Sequence, residues 1–342
     1  MRKLLNTLYV TSPDTYLSLD GENLVVLKQQ QEAMRLPLHN LESIIAFGYT
    51  GASPALMGKC ARDGIALSFV TQHGRFLARI VGEENGNVTL RRTQYRAADD
   101  TILSARLAAR FLQGKLFNTR WVLERAIRDY AHRLDITPLE HASAHLANSI
   151  AKLANFEDIG RLRGIEGEAA SVYFSVLDLL ILQQKESFFF RGRNKRPPLD
   201  KVNALLSFVY TLLAHDCASA LEAVGLDAYV GFLHRDRPGR TSLALDLMEE
   251  LRVTADRFVL SLINRKEITT KGFTQKENGA VIMIDETRKT ILRAWQERKK
   301  EIITHPFLEE KLEWGLIPYA QAMLLARFLR GDLDDYPPFL WK

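Results

Sequence analysis

The chain has 342 residues, 46% apolar and 25% charged, with a formal net charge of +5. At about 150 residues per domain this length predicts two domains, and the apolar content excludes a disordered chain. No uncharged apolar run reaches ~18 residues, and polar residues interrupt the start before it forms a signal-peptide core, so a cytosolic protein with no membrane span is predicted.

From Leu5 to about Arg92 the sequence consists of short β-type runs: NTLYVTS, TYLSL, NLVVLK, MRLPL, LESIIAF, IALSFV, FLARIV and NVTLR. Turn signals separate them at Pro13-Asp14, Asp20-Gly21, His73-Gly74 and Asn85-Gly86-Asn87. One helical interruption is predicted over 53–64, with Ser53 as N-cap, Pro54 in the first turn and Gly64 as the stop. Residues 1–93 are therefore expected to form a small antiparallel β-domain with one helix.

After about Ala97 the periodicity changes. Ile102, Leu103, Leu107, Phe111, Leu112, Leu116, Trp121 and Val122 recur at three-to-four spacing, which marks a long amphipathic helix. Further helices are predicted near 138–155, 165–185, 201–223, 242–263, 284–303 and 316–330, with Asp200 capping the one that follows Pro197-Pro198. GFTQKENGAVIMI is too polar for a core helix and is expected to form a hairpin around Glu277-Asn278-Gly279. Residues 94–342 read as a larger all-α domain, which makes the chain an α+β protein. Cys60 and Cys217 lie outside any CxxC pattern and are expected to be buried, reduced thiols.

Positive charge is concentrated in two stretches. FFFRGRNKRPPLDK sets Arg191, Arg193, Lys195, Arg196 and Lys201 beside Phe188 to Phe190, a combination suited to phosphate backbones and stacked bases. RKTILRAWQERKK carries Arg288, Lys289, Arg293, Arg298, Lys299 and Lys300 on a helical pattern. Either run alone also fits an ordinary solvated surface.

Two segments carry the candidate chemistry. In RGIEGEAASVYF, Glu166 is expected near a helix start among Gly164, Gly167, Ala169 and Ala170, where the backbone has little side-chain bulk and an anion can approach. Its plainer role is a first-turn acid. In GFLHRDRPGRTS, His234 occupies a polar loop, and Asp246, Glu249 and Glu250 follow on the next helix at spacings of three and four. An i, i+3 pair rises about 4.5 Å, so two such carboxylates can address one cation. A glutamate, a histidine and a carboxylate-bearing helix suit a hard divalent ion, and in a basic protein the matching substrate is a phosphodiester. The DLMEE helix is otherwise just an acidic surface helix. His141 and His145 lack the internal glutamate of HExxH. His215, Asp216 and Cys217 are consecutive, so their side chains diverge, and GYTGASPALMGK does not match the phosphate-binding loop GxxxxGK[ST].

RGIEGEAASVYF, RNKRPPLDKVNALLSFVYTLL and LHRDRPGRTSLALDLMEELR together resemble the successive motifs of the CRISPR-associated spacer-acquisition integrase family, Cas-one in words. The likeness covers nearly the whole chain, and the ending KLEWGLIPYAQAMLLARFLRGDLDDYPPFLWK resembles type I-C versions. It implies a small β-domain followed by a helical, metal-binding domain. It places the ligands of Mg²⁺ or Mn²⁺ on Glu166, His234 and Glu249, with Asp246 at an acidic position often kept near the metal. It further implies a homodimer that joins a small companion, Cas-two in words, and acts on double-stranded and branched DNA. The expected chemistry is transesterification: a DNA 3′-OH attacks a phosphodiester, or water does so when the site acts as an endonuclease, while Arg237 or Arg240 offsets the gathering charge. The rival expectation is an architectural DNA-binding protein whose acids are only structural. A third is a zinc hydrolase built on His141 and His145.

Overall fold

The computed structural model describes residues 7–12, 14–48, 50–72, 76–82, 88–154, 158–194 and 197–342. Of the expected features, Pro13, the turns at His73-Gly74 and Asn85-Gly86-Asn87, and the cations Lys195 and Arg196 lie outside the described residues. The chain forms two compact units. One comprises Met1–Asn85 with Asp285–Ile302 and Glu313–Leu316, and the other Gly86–Ile284 with Ile303–Leu312 and Ile317–Lys342.

The first unit runs β1 (Thr7–Val10), β2 (Thr15–Asp20), β3 (Asn23–Lys28), β4 (Gln31–Pro37), β5 (Ser43–Phe47), β6 (Gly51–Ala52), α1 (Pro54–Asp63), β7 (Ala66–Val70) and β8 (Phe76–Arg79). Two four-stranded sheets result, in the orders β1-β5-β7-β8 and β4-β3-β2-β6. The meander β2-β3-β4 is antiparallel as expected, turning at Gly21 with φ of 58°. The purely antiparallel expectation is corrected, because β1–β5, β5–β7 and β2–β6 pair parallel. Parallel neighbours require a crossover; the meander supplies one between β1 and β5, and α1 supplies the other between β5 and β7. Helix α1 begins as predicted: Ser53 Oγ accepts from Leu56 N at 3.2 Å, and Gly64 ends the helix at φ of 67°. Leu17 and Val26 of one sheet, Ile44 and Leu67 of the other, and Leu56 and Cys60 of α1 share one core.

In the second unit the described part of the expected strand NVTLR, residues 88–91, is helix and opens α2 (Val88–Asp99). Its buried positions Leu90, Gln94 and Ala97 have helical spacing, but the middle one is polar and hid the pattern. Gln94 is buried because its amide donates to Asp227 O at 2.8 Å and Val230 O at 2.9 Å and accepts from Asp227 N at 2.9 Å. The helices α3 (Thr101–Tyr130), α4 (Thr137–Leu153), α5 (Ile159–Val176), α6 (Lys201–Ala223) and α7 (Ser242–Asn264) follow. Asp200 caps α6 as expected, accepting from Asn203 N at 2.7 Å. Strands β9 (Phe273–Gln275) and β10 (Val281–Met283) make the expected hairpin. Next come α8 (Asp285–Lys299), which belongs to the first unit, and α9 (Ile317–Leu329). In α8, Arg288 and Lys299 are buried, so only part of that basic run faces solvent. Helix α6 is long and apolar, and most of it is buried against its neighbours, as in a core helix. Cys60 and Cys217 are both buried free thiols, as expected.

Candidate active site in the helical unit

The site begins with a close approach of two helices. A Cβ at Gly114 would stand 2.9 Å from Glu250 Cγ, so glycine there lets α3 and α7 come together. The next residue, Lys115, then reaches between α5 and α7. Its ammonium is paired with Glu166 Oε1 and lies 2.7 Å from Glu249 Oε2. Glu249 Oε1 accepts from Arg252 Nη1 at 2.9 Å. Burial alone would raise the Glu249 pKa, but Lys115, Arg252 and His234 outweigh it and hold the carboxyl down to about 2.

His234 is fixed from behind. The Asp246 carboxylate is fully buried and accepts Phe232 N at 2.6 Å, Leu233 N at 2.9 Å and His234 N at 3.0 Å. It also accepts the imidazole Nδ1–H at 2.6 Å, which leaves Nε2 as the ring's remaining ligating nitrogen. Gly231 makes this possible, since a Cβ there would lie 2.8 Å from both Asp246 Oδ2 and the Ser242 carbonyl carbon. Arg163 Nε donates to Leu233 O at 2.9 Å and ties the loop to α5. Burial and the neighbouring Arg235 and Arg240 hold the Arg163 pKa below its ordinary value.

Glu166, His234 and Glu249 border one cavity of about 650 Å³, together with Lys115, Arg163, Arg235, Arg237 and Arg240. The structure thus brings the two widely separated sequence segments to one place. Some expectations are corrected. Glu166 is in the middle of α5, not at its start; the start is capped by Asp158, which accepts from Arg161 N at 2.9 Å. The space expected beside Glu166 is present at two of the four small residues, for a Cβ at Gly164 or Gly167 would meet nothing within 4 Å, whereas Ala169 is buried. Glu250 does not share the cavity face. It turns to the C-terminal tail, accepting from Tyr336 OH at 2.6 Å, Phe339 N at 2.6 Å and Gln321 Nε2 at 2.8 Å.

The remaining candidates spread more widely. Arg193 borders the cavity but is committed to Asn194 O at 2.7 Å, Asn203 Oδ1 at 2.6 Å and Ser207 Oγ at 3.0 Å. Arg191 is exposed and lies 4.9 Å from the ring centre of half-exposed Phe189. His145 Nε2 stands 3.5 Å from Glu168 Oε1, while His141 is exposed. Lys115, Arg163, Arg252 and Gly231 escaped the sequence reading. Lys115 had a signal: it follows Phe111 by four and Leu112 by three, a charge on the apolar face of a helix.

Among the described residues no three His, Cys, Asp or Glu side chains already stand as a metal-holding group. The donors nevertheless fit a hard divalent ion. Two carboxylates converge on a single ammonium, and Glu249 Oε2 is buried and accepts no well-formed hydrogen bond despite its ion pair with Lys115.

Carboxylates and an oriented imidazole in an arginine-rimmed cavity of a helical unit define, as a class, a nuclease-type phosphodiester enzyme. The chain belongs to the CRISPR associated protein Cas1 family, whose model matches residues 8–297. It is similar to the CRISPR-associated endonuclease Cas1 1 of Chlorobaculum tepidum, 52% identical over 343 residues and all of both chains. It is also similar to the CRISPR-associated endonuclease Cas1 2 of Rhodospirillum rubrum, 53% identical over 352 residues, again across both whole chains. Among solved structures its fold resembles a casposase bound to integration product, with a TM-score of 0.84 at 22% identity, covering 98% of this chain and 94% of that one. A chain of a Cas6-RT-Cas1–Cas2 complex is similar at a TM-score of 0.82 and 21% identity, over 100% of this chain and 36% of the other.

Proposed function

We propose that this chain is a metal-dependent DNA endonuclease and integrase that inserts short DNA fragments into a CRISPR array by phosphodiester transesterification. Family membership supports the activity, and one observation carries its location: Glu166, His234 and Glu249, distant in sequence, border the same arginine-rimmed cavity. Glu166, Glu249 and His234 would hold Mg²⁺ or Mn²⁺ in the helical unit. When bound, that ion supplies Lewis-acid stabilisation of the phosphate charge.

The chain's own residues do the rest. Asp246 is a positioning residue: with both oxygens occupied by three backbone N–H groups and the imidazole, it sets the ring of His234. Arg163, Arg235, Arg237 and Arg240 draw the DNA backbone to the cavity and offset the charge that gathers on the phosphorus oxygens and the leaving 3′-oxygen. Arg191 with Phe189 offers a cation and a ring for a further stretch of nucleic acid. Arg193 braces this stretch against α6 while presenting its charge to the cavity. Lys195 and Arg196 extend the basic run in sequence. The protein works in the cytoplasm as a homodimer on double-stranded and branched DNA, with a Cas2-type companion. The resemblance of the fold to a chain from a complex that also contains Cas2 supports that last partner.

The test is strand joining. Wild-type protein with its companion, incubated with 3′-OH-ended DNA and a supercoiled repeat-bearing plasmid, should give joined product with Mn²⁺ and none with EDTA. Glu166→Gln, His234→Ala and Glu249→Gln should each lose at least a hundredfold in joining while still binding DNA. Normal joining by any of the three would remove that residue from the site, and joining in EDTA would reject the metal chemistry altogether.

A further inference from the structure

Lys115 occupies a place that the proposed function leaves unexplained. It is a lysine with a side chain only 10% exposed, set on α3 and reaching between the glutamates of α5 and α7. The two oxygens of Glu249 are assigned to two different cations: Oε1 to Arg252 at 2.9 Å and Oε2 to Lys115 at 2.7 Å. Glu166 Oε1 pairs with the same ammonium. A divalent ion held by Glu166 and Glu249 would therefore meet a positive charge already seated between them.

The two cations differ in how firmly they are held. Arg252 is also wedged over the Tyr210 ring, 4.5 Å from its centre, so the guanidinium is fixed on both sides. The ammonium of Lys115 ends a flexible four-carbon stem, and the residue borders the 650 Å³ cavity, which gives it somewhere to go. Arginines of the same cavity attract phosphate, whose oxygens would give the displaced ammonium a new partner.

The geometry points to Lys115 as a built-in counter-cation that holds Glu166 and Glu249 together without metal, competes with the divalent ion for them, and swings to the DNA phosphate when the ion binds. This inference rests on the ligand assignment made above and concerns metal affinity rather than the reaction. Without Lys115 the two carboxylates would repel each other, so the lysine stabilises the metal-free fold. With it, the site loads fully only when the phosphate offers the ammonium another place.

The experiment uses the full chain and Mn²⁺ alone, followed by calorimetry and by the electron paramagnetic resonance of free Mn²⁺. Lys115→Met keeps the length of the stem and removes the charge. It should bind Mn²⁺ about tenfold or more tightly than wild type, the direction expected when a unit positive charge a few Å away is deleted. Lys115→Arg should stay as weak as wild type or weaker. Because Lys115→Met leaves two carboxylates facing each other without metal, a measurement on wild type that does not depend on the variant's folding runs beside it: reductive methylation of Lys115, read by mass spectrometry, should speed up severalfold when Mn²⁺ and a short DNA duplex are present. Equal Mn²⁺ affinity in wild type and Lys115→Met, or unchanged methylation of Lys115, overturns the inference. Glu249→Gln is the control that separates the two readings. If it binds Mn²⁺ as wild type does, the ligand assignment fails and this inference with it; if it loses Mn²⁺ while Lys115→Met matches wild type, only the lysine's role is wrong.

Discussion

Replacing Glu250 by Gln should flatten the pH dependence of stability between about pH 5 and pH 8. The carboxyl is fully buried, and burial pushes its pKa from 4.5 up to about 8, against the pull of Tyr336, Phe339 N and Gln321. Between those two values the folded protein keeps a proton that the unfolded chain has released. The folded pKa is the raised one, so this group's contribution is fully present below 4.5 and is lost as pH rises through about 8. The slope is about 1.4 kcal/mol per pH unit, or roughly 3 kcal/mol from pH 5 to pH 7, a sizeable share of a typical folding free energy. Glutamine carries no titrating proton; its carbonyl can keep accepting from Phe339 N and Gln321 while its amide donates to the Tyr336 oxygen. Urea unfolding of both proteins across this range should show the variant gaining on wild type by about 1.4 kcal/mol per pH unit until the difference levels off near pH 8. Parallel stability curves would refute the claim that Glu250 is protonated in the folded protein.

Two further substitutions test the support of His234. Asp246→Asn puts an amide NH₂ where a carboxylate oxygen now accepts, so at least one of the donors at 2.6 to 3.0 Å faces another donor. A loss of roughly 2–4 kcal/mol is expected, seen as a fall of several degrees in Tm together with loss of strand joining; a variant as stable and active as wild type would mean the carboxylate does not hold the ring. Gly231→Ala should cost about 1–3 kcal/mol by overpacking, because its Cβ would meet Asp246 and the Ser242 backbone at 2.8 Å. Gly164→Ala, on the open side of α5, should instead be neutral or stabilising by up to ~1 kcal/mol, and the same loss in both would sink the steric argument.

The change from β-type runs to helical periodicity was legible because the two periods differ, and α6 was legible to the residue because Pro197-Pro198 and Asp200 mark its start. Parallel pairing was not, since each strand is the same whichever neighbour its crossover delivers. The true start of α5 was obscured by Gly160, Gly164 and Gly167, which weaken helix propensity within a helix that packing sustains. Glu166, His234 and the acids of α7 were singled out from residue type and spacing, and only the resemblance to the family chose Glu249 among those acids. Lys115 and Arg252 were not: a charge on the apolar face of α3 marks Lys115 as unusual, but nothing in a helical pattern names the acid that a cation will face across a packed interface.

The three acids of α7 show why spacing alone cannot assign roles. Asp246 and Glu249, three apart, have different fates: Asp246 lies behind His234, consumed by backbone donors and the imidazole, while Glu249 borders the cavity and keeps an oxygen facing only Lys115. Glu250 follows Glu249 by one residue, about 100° further around the helix, and its carboxylate is buried against the C-terminal tail. Burial acts on both neighbours, but Glu249 has cations and is held at about 2, whereas Glu250 has only neutral donors and rises to about 8. The partners across each face, rather than the motif, decide which carboxylate is charged. Asn118 binds these two faces into one framework: its amide donates to Glu250 O and Phe339 O, both at 2.8 Å, one turn along α3 from the lysine that faces Glu249. The tail is therefore part of the scaffold that places the site, although it contributes no residue to the cavity.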